Sequence, residues 1–137
     1  MNKSANKFVL YIDTANYICE IALFGNGSEE VASKHWESNQ NETELLLTDI
    51  DQMLKGSGVD KSSIKAVAIN PGPGPYTGLR VGVSSANALA FALNVPAITL
   101  KNPKDVSELM NKLIPAEFTS PVIPIYNHPP RITEKKS

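Results

Sequence analysis

The stretch Asn70-Pro71-Gly72-Pro73-Gly74-Pro75-Tyr76-Thr77-Gly78-Leu79-Arg80-Val81-Gly82 constrains this chain more than any other. It joins an apolar run at residues 64–69 to a segment rich in small residues. Pro71, Pro73 and Pro75 fix φ and remove backbone donors, while Gly72 and Gly74 supply backbone angles closed to other residues. Gly72, Pro73, Gly74 and Thr77 therefore specify one loop shape, which aims a helix over residues 77–93. Along that helix Gly78, Gly82, Ala86 and Ala90 recur every fourth residue and form a small-residue stripe on one face. A mid-helix Gly costs about 1 kcal/mol relative to Ala, so Gly82 implies a neighbour too close for a methyl group. Two neighbours remain open on these residues: the chain's own sheet, or the helix of a partner.

The segments on either side supply a mixed sheet. Residues 8–12 are apolar and strand-like, and Asp13-Thr14-Ala15-Asn16 turns the chain back. A second run at residues 17–24 leads through Gly25-Asn26-Gly27, a hairpin signal, into a third strand at residues 29–36. Asn41 caps a helix with Glu44 at its third position, and Leu46, Ile50, Met53 and Leu54 follow helical spacing. Leu45 and Leu47 widen its apolar arc, and Gly56-Ser57-Gly58 stops it. Residues 64–69 suit a central parallel strand, and residues 97–100, after the break at Asn94-Val95-Pro96, complete a strand–helix–strand crossover. Asn102-Pro103 opens a short helix carrying Val106, Leu109, Met110 and Leu113. Residues 122–126 are expected as an edge strand interrupted by Pro124, and residues 131–137 as a solvated tail.

Composition narrows the function classes. A chain of 137 residues fits one domain but is short for two lobes and a cleft. A net charge of -1 gives no field that attracts nucleic acid. The single Cys19 cannot form an internal disulfide and reads as a reduced, half-buried strand residue, which favours a cytoplasmic location. The first residues carry neither a signal-peptide pattern nor a membrane span.

Chemical motifs are sparse. The glycine-rich loop lacks the Gly-Lys-Ser/Thr ending of a Walker motif, and Thr77 stands where a dinucleotide fingerprint counted from Gly72 needs glycine. Asp13-Thr14, an acidic residue at a strand's end, has the chemistry to hold hydrated magnesium, although a turn-stabilising Asp is the plainer explanation. His35 and His128 lie at no ligand spacing, so no metal site is expected, and Ser84 and Ser85 fall inside the helix rather than on a nucleophile elbow.

Four segments together resemble the TsaB (YeaZ) family: residues 8–14, Thr43-Glu44-Leu45-Leu46-Leu47, residues 70–82, and Ala88-Leu89-Ala90-Phe91-Ala92-Leu93-Asn94-Val95-Pro96. The likeness covers most of residues 8–112, with Pro75 and Tyr76 as local variants and Glu42 where the family often has His. It implies an α/β fold: a single ribonuclease-H-like lobe of the actin/Hsp70 (ASKHA) type, with a β-meander start and packed helices. It also implies a non-catalytic scaffold in the making of N6-threonylcarbamoyladenosine (t6A37) in tRNA; the alternative is a minimal ATP-binding hydrolase or glycoprotease-like enzyme of the same superfamily. The partners so implied are a TsaD-like transferase and a TsaE-like ATPase, with tRNA contacted indirectly; because two apolar, small-residue faces can self-associate, a homodimer through the same helices is expected when the transferase is absent. No cofactor is expected in the chain alone, and ATP with magnesium only at a site shared within the complex. Carried over by position, the partner interface is Leu45, Leu46, Asp49 and Met53 on the first helix with Gly78, Val81, Gly82, Ser85 and Ala86 on the second. Gly82→Leu is then expected to block docking and spare the sheet core. Asp13 and Thr14 match a vestigial phosphate motif. The expected division is a first lobe at residues 1–113 and a strand and tail at 114–137, without the family's second lobe. That division has two explanations, an internal deletion joining the lobe near Leu113 to a C-terminal tail, or a simple truncation.

Overall fold

β1 (Phe8–Asp13) is the spine of the sheet, with every residue from Val9 to Asp13 buried. It pairs antiparallel with β2 (Ile18–Phe24) along one edge and parallel with β4 (Ile64–Ile69) along the other. A strand paired on both edges and covered on both faces must be largely apolar, as β1 is from Phe8 to Ile12. The computed structural model describes residues 8–25, 29–37, 42–111 and 121–125, and of residues 42–45, 76 and 109–111 the backbone alone. β3 (Glu30–Glu37) extends the meander beyond β2, and β5 (Ala97–Thr99) pairs parallel with β4, which makes the order β3-β2-β1-β4-β5. The expected mixed sheet with a meander start is what forms.

Two helices cover one face. α1 (Glu42–Ser57) packs on β3 and on α2 (Tyr76–Leu93), and α2 covers β4 and β1. Beneath them Leu10, Ile12, Ile21, Leu23, Val67 and Ile69 point up to meet Leu46, Ile50, Leu79 and Val83. The opposite face, with Val9, Tyr11, Ala22, Phe24, Ala66 and Ala68, meets Leu100 and Val106, the latter opening α3 (Val106–Asn111). Both long helices end in left-handed residues. Gly58 has φ +70 with Val59 N donating to Leu54 O, and Asn94 has φ 59 with Val95 N donating to Ala90 O. Among the described residues no helix is long and apolar enough to cross a membrane.

Three expectations change. Cys19, placed half-buried by its sequence context, is fully buried in β2. Residues 121–125 do not form an edge strand: Val122 and Ile125 bond to α2 and to the loop at 70–75 instead of to a ladder. Tyr126, the last residue of that expectation, lies outside the described residues. The stripe on α2 faces inward, with Gly82, Ala86 and Ala90 buried against the sheet side of the protein. A Cβ at Gly82 would run into the Oγ1, Cβ and Cγ2 atoms of Thr14, so the close neighbour is the end of β1. Gly82→Leu is therefore no probe that spares the core.

Even Gly82→Ala is expected to overpack this contact and to cost about 1–3 kcal/mol, read as a lower urea midpoint at unchanged slope. Combining it with Thr14→Ala, which empties the colliding volume, should recover part of that loss. Strict additivity of the two variants would show that the contact is not what demands glycine.

Candidate functional site

The turn after β1 and the loop after β4 interlock at one end of the sheet. Asp13 Oδ1 accepts the Ala15 amide at 2.9 Å, and its Oδ2 accepts Asn16 Nδ2 at 3.0 Å and, more weakly, the Tyr11 hydroxyl at 3.4 Å. In the facing loop Asn70 Oδ1 accepts the Gly72 amide at 3.0 Å, while the Asn70 amide donates to Ile12 O at 3.0 Å. Gly74 lies on the Ala15 backbone so closely that a Cβ would meet its Cα and carbonyl. Gly72, at φ +109, and Gly74 thus serve the shape of the loop, whose Gly72–Pro73 bond is cis and whose Pro73 is exposed. α2 leaves from Pro75, whose carbonyl accepts the Leu79 amide at 3.0 Å, and Thr77 stands exposed in its first turn.

Charge gathers beside this turn. Register places Glu20 opposite Asp13 and His35 opposite Glu20, with His35 Nε2 3.3 Å from Glu20 Oε2. Burial holds the Glu20 carboxyl above its usual value of 4.5, with His35 pulling it down and the Asp13 and Glu30 charges pushing it up. Burial, reinforced by Asp13 and Glu20, likewise pushes the Tyr11 hydroxyl far up, so it remains a neutral donor. Glu20 belongs to no sequence motif, and only strand register brings it to Asp13 and His35. One signal was present, an acidic residue in the apolar run Ile18-Cys19-Glu20-Ile21-Ala22.

As they stand, these residues are engaged within the turn rather than opened towards a ligand. Both Asp13 oxygens already accept from the chain's own donors, and Thr14 Oγ1, buried without a hydrogen-bond partner, is shut in against Gly82. Among the described residues no group of three or more His, Cys, Asp or Glu is arranged to hold a metal ion.

The residues carried over as a partner interface divide by burial. Leu46 is 1% exposed and belongs to the core, as do Gly82 and Ala86, so these three cannot touch a partner while the lobe is folded. Asp49 pairs with Lys34 of β3 at 2.8 Å. Met53, Gly78, Val81 and Ser85 are partly exposed, and the side chain of Leu45 lies outside the described residues. Leu47, not among the carried-over positions, is the large apolar residue that α1 leaves 49% exposed.

Strand order, the two covering helices and the turn at the end of β1 define a ribonuclease-H-like lobe of the actin/Hsp70 type. The family model described as "TsaD: tRNA N6-adenosine threonylcarbamoyltransferase" matches residues 30–125. The "tRNA threonylcarbamoyladenosine biosynthesis protein TsaB" of Haemophilus influenzae is 31% identical over 112 residues, 82% of this chain and 47% of that protein. The protein of the same name from Escherichia coli is 35% identical over 91 residues, 66% of this chain and 38% of that one. Among solved structures, YeaZ from Pseudomonas aeruginosa superposes with a TM-score of 0.62 at 29% identity, over 70% of this chain and 43% of that one. The chain belongs to the TsaB/YeaZ family, and the TsaD-like family model fits it as well. It spans less than half the length of these relatives.

The Glu20 environment sets a pH dependence. A carboxyl held above its unfolded value binds its proton more tightly in the folded state, so its contribution is full below that value and is lost as pH rises through the folded one. Glu20→Gln removes this titration. Urea midpoints measured from about pH 4 to 7 should therefore fall less in the variant than in the wild type. Parallel curves would mean that Glu20 titrates normally.

Proposed function

We propose that this chain is a non-catalytic scaffold subunit in the biosynthesis of threonylcarbamoyladenosine in tRNA, docking a TsaD-like transferase through the outer surfaces of α1 and α2. The names carried by its relatives place those proteins in that biosynthesis. The observation that carries the reading is the division of labour between the two helices and the turn. Asp13 and Thr14, the positions a nucleotide would need, are consumed by the fold, while Leu47, Met53, Val81 and Ser85 remain at least partly open on the helices. An apolar residue as exposed as Leu47 beside partly open Met53 and Val81 is the kind of surface that gains from being covered.

Within the same proposal, residues 1–113 are the docking lobe and 114–137 an appended segment. A TsaE-like ATPase joins through the transferase, tRNA is reached indirectly, and two copies pair through the same helices when the transferase is missing. ATP and magnesium enter only at a site formed with the partner.

Co-purification with a TsaD homologue from the same host tests this. Leu47→Arg with Ser85→Arg places two charges on the open surface and leaves Leu46, Gly82 and Ala86 in the core. The pair is expected to weaken capture at least about tenfold, since each charge buried without a partner costs several kcal/mol, with an unchanged urea midpoint. Capture as strong as wild type by the folded double variant would sink the proposal.

A further inference from the structure

Residues 121–125, Pro121-Val122-Ile123-Pro124-Ile125, lie against α2 and the 70–75 loop in a manner that the fold does not require of a connecting segment. The Asn87 side chain reads both polar groups of one main-chain residue. Its Nδ2 donates to Val122 O at 2.9 Å, and its Oδ1 accepts the Val122 amide at 2.9 Å. A neighbouring β-strand would offer the same donor and acceptor pair; here a single carboxamide supplies it. The Val122 side chain is buried in the same core cluster as Leu79 and Val83 of α2. Three residues on, the Ile125 amide donates to Pro71 O at 2.6 Å. The Ile125 carbonyl sits over Gly72, where any Cβ would collide with it.

The segment's own sequence prepares it for this site. Pro121 and Pro124 have no amide hydrogen to satisfy, and each proline restricts the residue before it to extended geometry. Such a segment loses little conformational freedom when it is bound. Its position on α2 is also distinct. Gly78 and Gly82 turn towards Thr14 at the end of β1, whereas Asn87 lies two residues from Ser85, about 200° around the helix. The clamp therefore occupies the flank away from Ser85 and stands whether or not α1 and α2 dock a partner.

We propose that Asn87, the Pro71 carbonyl and Gly72 form a recognition site for an extended main-chain segment, filled by the same molecule's residues 121–125. The filled site is a strap that locks the loop launching α2. Its recognition rule follows from the contacts: an apolar side chain at the position read by Asn87, extended backbone, and a free amide three residues further along.

Hydrogen exchange on the full chain tests the proposal. In the wild type the Val122 and Ile125 amides are expected to be protected. In Asn87→Leu both should exchange at least about tenfold faster, as should the Gly72 and Gly74 amides of the launched loop, with the β1 and β4 amides unchanged. Asn87→Asp keeps the acceptor and loses the donor, so it should give intermediate protection, and it serves as the probe if the leucine variant fails to fold. Val122 and Ile125 amides that are unprotected in the wild type, or indifferent to both variants, overturn the proposal. So does a dimer that separates in Asn87→Leu, because the site would then hold the segment of a second copy.

Discussion

The contact between Thr14 and Gly82 is the constraint on which the rest of the lobe depends. It brings the end of β1 against the middle of α2 with no side chain between them, and Thr14 is buried there with its hydroxyl unpaired. A buried unpaired hydroxyl costs about 1–3 kcal/mol, and the close approach offsets that only by seating α2 deeply on the sheet. Leu79, Val83 and Ala86 reach the core because α2 sits so low, and the loop before it must be shaped to deliver the helix at that height.

That demand explains the glycines better than any ligand does. Gly72 faces the Ile125 carbonyl, Gly74 the Ala15 backbone and Gly82 the Thr14 side chain, and each contact excludes a Cβ. A phosphate cradle uses glycine so that amides can point into open space towards an anion. Here the Gly72 amide is held by Asn70 and the Ala15 amide by Asp13, so the donors nearest the loop are turned inward. The residue types of an anion site and of a close-packed corner are the same; what differs is where the amides point.

The legible parts of the fold were those dictated by local composition. Residues 64–69 form β4 with the limits their apolar run implies, and α2 begins one residue before the expected start, because proline and glycine punctuate both ends. The direction of the small-residue stripe was not legible, since periodicity specifies a face but not what the face meets. Thr14 lies more than sixty residues upstream, and nothing local couples it to Gly82. Glu20 and His35 were hidden for a related reason: a shift of one residue in strand register would part them. Residues 122–126 read as an edge strand because an apolar run broken by proline looks the same in sequence whether a strand or a side-chain amide receives it.

These two kinds of long-range contact converge on one object, the pose of α2. From below, Gly82 on Thr14 sets its height above β1; from the side, Asn87 on Val122 and Pro71 on Ile125 tie the helix to the loop from which it starts. Neither contact uses the partly open residues Val81 and Ser85. A helix fixed on two sides by its own chain presents its remaining surface in one orientation, so covering that surface incurs little further ordering cost. The same packing that closes the Asp13–Thr14 turn against α2 thus also fixes the pose of the helix.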